Sequence, residues 1–126
     1  MSALIQWSLA VLAVLGAFFF AGITGSLATD MLGFWDIPGA GFLAAPAVVV
    51  TAYLAAPRRK ALFSCGAFTV GAIAAWLLLE PSSYPESQRY GDLAYQPTHL
   101  PVVATYIGGI IGLAIVGILR LRPGTK

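Results

Sequence analysis

Four long apolar runs alternate with polar joints, and the charges in those joints sort by sign. The first joint carries only Asp30 and Asp36, and the second is Pro57, Arg58, Arg59 and Lys60. The third holds Glu80, Glu86, Arg89 and Asp92, and the tail ends with Arg120, Arg122 and Lys126. Coiled as a helix, a run of about 20 apolar residues matches the roughly 30 Å hydrocarbon core of a bilayer. Lys and Arg are retained in cytoplasmic joints, so the order acidic, basic, acidic, basic places the second joint and both termini inside. The expected fold is all-α: an integral membrane protein with four transmembrane helices in an up-down bundle, both termini cytoplasmic. Arg58, Arg59, Lys60, Arg120 and Arg122 are the expected topology determinants.

Composition supports lipid as the solvent. Only 10% of the residues are charged and 59% are hydrophobic, whereas soluble domains carry about 25% charge. Four spans and their joints use all 126 residues, leaving one domain, 1–126. Its spans are expected at about 4–27, 39–56, 61–79 and 101–121, with an outer loop at 80–100. Ser26, Leu27 and Ala28 resemble a signal-peptide cleavage site. However, residues 1–7 contain no Lys or Arg, and the apolar run exceeds the usual h-region of about 7–15 residues. The first span is therefore expected to be retained.

The net charge of +2 lies at helix ends. It forms no basic face with interleaved aromatics, which argues against nucleic acid as a partner. A basic cluster beside a membrane instead attracts anionic lipid, so membrane lipids are the expected partners. Arg outnumbers Lys among abundant Ala and Gly, as GC-rich bacterial coding gives. The expected location is the bacterial cytoplasmic (inner) membrane.

Trp7 and Trp35 flank the first span and suit the headgroup level, where indole is favoured. Pro46 falls inside the second span. It removes the amide that would bond the Phe42 carbonyl, making it a candidate hinge or a proline tolerated through packing against neighbours. A shallower, re-entrant path for residues 33–45 is the alternative for that stretch. The outer loop contains Pro81, Pro85 and Pro97 with Tyr84, Tyr90 and Tyr95 between them. Its proline density argues against regular helix, and its tyrosines suit a segment lying across the interface. Pro101 fits the first turn of the fourth span, and Pro123 stops it.

Chemistry is sparse. No Asp, Glu, Lys, Arg or His lies within the four apolar cores, whereas proton-coupled carriers and voltage sensors depend on such residues. The chain resembles small four-helix multidrug exporters in length and span count but lacks their membrane-embedded glutamate. It also lacks the Gly/Thr/Ser/Phe pore pattern of small fluoride channels. The positive signal is small residues at helical spacing. Ala13, Ala17, Ala21 and Gly25 share a face of the first span, and Ala67, Gly71 and Ala75 one of the third. Ala104, Gly108 and Gly112 do so in the fourth, with Gly109 about 100° away on another face. Such stripes let helix backbones approach, either within one chain or between subunits.

His99 with Glu80, Glu86 and Asp92 has no ligand-like spacing. No catalytic residue, metal or cofactor is assigned. Cys65, the lone cysteine, reads as a small packing residue. Ser64, Thr69, Thr105 and Tyr106 are intramembrane hydroxyls expected to bond to helix backbone. The expected function is non-enzymatic: a small accessory or structural component packing against itself or a larger membrane complex. The alternatives are a minimal channel or transporter formed by oligomerisation, and a membrane enzyme using the outer loop.

Overall fold

The computed structural model describes residues 2–80, 82–85 and 91–121. Pro81, Glu86, Arg89, Tyr90, Arg122, Pro123 and Lys126 lie outside the described residues. Among those described, four helices are long and apolar enough to cross a membrane: α1 (Ala3–Met31), α2 (Asp36–Ala55), α3 (Lys60–Leu79) and α4 (Leu100–Leu121).

Local chemistry sets the helix ends. Ser2 caps α1 by accepting the Ile5 amide at 3.3 Å. At the other end Gly33, with φ 82°, takes the left-handed position. Its amide bonds to the Asp30 carbonyl, and the Phe34 amide bonds to that of Thr29. This is a Schellman stop, and it carries α1 one turn beyond the span expected at 4–27. The first joint shrinks to four residues, and Asp30 becomes part of the helix. The next helix starts earlier than the expected 39, at Asp36, where a carboxylate suits the positive end of the helix dipole. Pro38 consequently sits buried in the first turn, where a missing amide costs nothing. Regular helix runs from Asp36 through the stretch to Ala45. It also continues through Pro46 to Ala55.

The turn from α2 to α3 is tight, with Arg59 in the left-handed region at φ 51°. Lys60 begins α3, yet its ammonium reaches back over α2 and donates to the carbonyls of Ala56 (2.7 Å) and Leu54 (3.3 Å). A cation there satisfies carbonyls that lack helical partners and offsets the negative end of the dipole.

Between α3 and α4, β1 (Ser82–Ser83) pairs antiparallel with β2 (Pro97–Thr98). Among the described residues between them is a 3-10 turn, Gly91–Leu93. The Tyr84 ring meets Trp35 at 6.1 Å, so this segment folds back over the α1–α2 joint. Thr98 Oγ1 accepts the Leu100 amide at 3.1 Å to open α4, and Pro101 occupies its first turn, buried.

The helices alternate in direction, and α2 is the hub that touches the other three. Its glycines and alanines bring neighbouring backbones close. Gly25 of α1 lies against the Gly39 backbone, and Gly39 in turn faces Thr29. On its other side α2 runs parallel to α4: Gly41 meets Thr105, Phe42 and Pro46 meet Gly108, and Val49 meets Gly112. Gly109 turns toward α3 and faces the Phe68 ring. Val49, Tyr53 and Val116 form the buried cluster at the basic end. Large apolar side chains cover the outside: Phe20 is 77% and Leu78 82% exposed. This apolar outer surface is what lipid, as solvent, accepts without cost.

Candidate functional site

Several polar side chains within the helices bond to backbone. Ser64, fully buried, donates to the Val49 carbonyl at 2.8 Å and ties α3 to α2. The Tyr106 hydroxyl donates to the Ala72 carbonyl at 3.0 Å and ties α4 to α3. Thr24, Thr29, Thr69 and Thr105 each donate to the carbonyl four residues back in their own helix. Ser26 donates to the Asp36 carboxylate at 3.1 Å, joining α1 to the start of α2. Each of these bonds removes a donor from the apolar interior. Among the described residues no buried side-chain polar atom lacks a partner.

At the acidic end, His99 Nδ1 lies 2.6 Å from Glu80 Oε1, linking the end of α3 to the start of α4. The imidazole is 72% exposed. Asp92 lies in the same connecting segment, and Glu86 falls outside the described residues. Among the described residues, no three of His, Cys, Asp and Glu gather as a metal site would require.

The small-residue faces have different surroundings. On α4, Gly108 and Gly112 are buried against α2 around Pro46, and Ala104 is half-buried. On α1 the stripe grades outward: Gly25 is buried, Ala21 and Ala17 are half-buried and Ala13 is exposed. On α3, Ala75 is buried, Ala67 is half-buried and Gly71 is exposed. The basic residues Arg58 and Arg59 are exposed at the α2–α3 turn, at the same end of the bundle as Arg120. The exposed Cys65 points away from the core, so its side chain packs less than its apolar neighbours in sequence suggest.

The most distinctive concavity is a lateral cleft between α1 and α3. These two helices touch near the basic end, where the Trp7 and Phe63 rings meet edge to face at 5.1 Å. Above that contact they separate. The part nearer the basic end holds about 490 Å³, with Trp7, Val14, Arg59, Phe63, Gly66 and Ala67 among its lining. The part nearer the acidic end holds about 290 Å³ and is floored by α2 and α4, with Gly22, Ala44, Ala67, Gly71 and Tyr106 among its lining. The two parts adjoin at Ala67. A side chain at Gly66 or Gly71 would meet no protein atom within 4 Å. Sequence reasoning did not find the cleft, because small residues read alike whether a helix or open space lies beside them.

No protein-family model, curated protein or solved structure matches the chain.

Proposed function

We propose that the protein is a non-enzymatic structural or accessory component of the bacterial cytoplasmic membrane, with Arg58, Arg59, Lys60 and Arg120 on the cytoplasmic side. Its work is done by its lipid-facing surface, through association with other membrane components. The observation that carries this reading is that Ser64, Thr69, Thr105 and Tyr106 each donate their hydroxyl to helix backbone. Such bonds hold helices together, and they line no continuous polar path for an ion. Beside the His99–Glu80 pair, the described hydroxyls of Ser82 and Thr98 are engaged with the Leu79 carbonyl and the Leu100 amide, and general acid–base work needs a third, reacting group within reach.

The test is purification of the intact protein from its native membrane in a mild detergent or polymer disc. A membrane protein recovered in fixed stoichiometry supports the accessory role. Recovery without protein partners, together with solute flux through the purified chain in liposomes, would replace it with the channel reading.

A further inference from the structure

The cleft between α1 and α3 runs toward a cation. Arg59 lines its basic end beside Trp7, and Arg58 precedes it on the exposed turn. Among the described residues no carboxylate lies within ion-pair distance of either guanidinium; the one such contact is His99 with Glu80. Lys60, by contrast, is engaged with the carbonyls that end α2. The walls along the chain's path are apolar, with Val11, Leu62, Gly66 and Val70 above Arg59 and then Gly71 and Ala74 farther along, while Thr105 and Tyr106 lie at the acidic-end part. Asp30, Asp36, Glu80 and Asp92 belong to the opposite end.

We propose that this cleft binds one anionic phospholipid, its phosphate paired with Arg59 and an acyl chain lying along Gly66, Ala67 and Gly71. Charge complementarity selects the lipid and the end from which it enters. A phosphate beside an unpaired arginine makes charge-assisted hydrogen bonds, whereas the carboxylates at the far end repel it. Shape selects a chain over a helix. A helix with side chains is about 10–12 Å across, and the Trp7–Phe63 contact at 5.1 Å closes that route at the basic end. A flexible acyl chain passes beside the rings and follows the cleft past the bare glycines. The inference needs only that the chain lies in lipid; it does not depend on a protein partner.

Trp7 lines the cleft and reports on its occupant. With Trp35→Phe and Trp76→Phe it is the sole remaining tryptophan. The full chain is placed in phosphatidylcholine vesicles. Either phosphatidylglycerol or phosphatidylcholine, brominated near the headgroup end of the acyl chain, is then titrated in, and Trp7 fluorescence is read. Brominated phosphatidylglycerol should reach half-maximal quenching at about fivefold lower mole fraction, the preference one interfacial arginine provides. Arg59→Asn should abolish that preference while keeping the fold, since Asn tolerates the left-handed backbone found there. Gly66→Leu and Gly71→Leu fill open space and should weaken the saturable quenching by phosphatidylglycerol in variants that remain folded and monodisperse. Equal quenching by the two lipids would overturn the proposal, as would a preference that survives Arg59→Asn. A Trp7 shielded from both would place a second copy or another protein in the cleft and overturn it too. Partner recovery and solute flux answer the accessory reading separately, so either inference can fail alone.

Discussion

Gly112→Ala adds one methyl group where α4 presses on α2. The new Cβ would lie 2.8 Å from Pro46 Cα and 3.1 Å from Val49 Cβ. The first of these is backbone, which no rotamer change can move. Ordinary contact begins at 3.4 Å, so α4 must retreat by about 0.6 Å from 2.8 Å. A gap of 0.5–1 Å forfeits a quarter to a half of each dispersion well along the seam, and overpacking of this kind typically costs about 1–3 kcal/mol. Alanine also gains up to about 1 kcal/mol of helix propensity over glycine. Gly117→Ala makes the same gain with no protein atom within 4 Å of its Cβ. The propensity term therefore cancels between the two variants, and Gly112→Ala should be about 1–3 kcal/mol less stable than Gly117→Ala. Denaturant unfolding in mixed micelles, extrapolated linearly, measures the difference. Equal stabilities would refute the close α2–α4 contact. Gly108→Leu extends the test: it should unfold the single chain. A folded monomer released from an oligomer would instead make the glycine face an intersubunit surface. Gly109 is not a neutral comparator, because a Cβ there would lie 2.7 Å from the Phe68 ring.

Ser64→Ala removes the hydroxyl bond that ties α3 to the Val49 carbonyl of α2 and should destabilise by about 0.6–1.7 kcal/mol, the range of interhelical bonds in lipid, read by the same unfolding assay. His99→Ala removes a contact made by a side chain that is 72% exposed and should change stability by no more than about 0.5–1 kcal/mol; loss of a discovered activity in the folded variant would point to the enzyme reading. Single cysteines at Ser83 and Thr125 in a Cys65→Ser background should differ in intact cells, with an impermeant thiol reagent labelling Ser83→Cys alone. The reverse pattern inverts the topology, and replacing Arg58, Arg59 and Lys60 with Gln should weaken the preference.

The sequence makes the four helices legible because their signal, long apolar runs interrupted by charge, does not depend on what packs where. Their ends were less legible. The position of Gly33 decides where α1 stops, and Asp36 starts α2 before Pro38, where the apolar pattern suggested a boundary after it. Helical spacing put Gly108 and Gly112 on one face, but spacing alone cannot distinguish a partner within the chain from one outside it. Gly71 and Gly112 look equivalent as letters; one faces open space and the other faces Pro46. Lys60 shows the same limit. In sequence it is a topology signal, while in the fold its ammonium also completes the end of α2.

Pro46 and Gly108 are each costly alone and compatible together. Proline leaves the Phe42 carbonyl without the amide that would have bonded it within α2, and an unpaired carbonyl in hydrocarbon is expensive. Glycine in the middle of α4 lowers helix propensity by about 1 kcal/mol relative to alanine. In the fold, a side chain at Gly108 would strike that same Phe42 carbonyl and come within 3.0 Å of Pro46 Cδ. The hydrogen in its place therefore faces the freed oxygen, a Cα–H···O contact worth about 0.5–1 kcal/mol. The α4 backbone takes over part of the role of the missing amide, so α2 stays helical through its proline and is pinned there. Helix runs uninterrupted from Asp36 to Ala55, and at the proline it packs against Gly108 and Gly112 of α4.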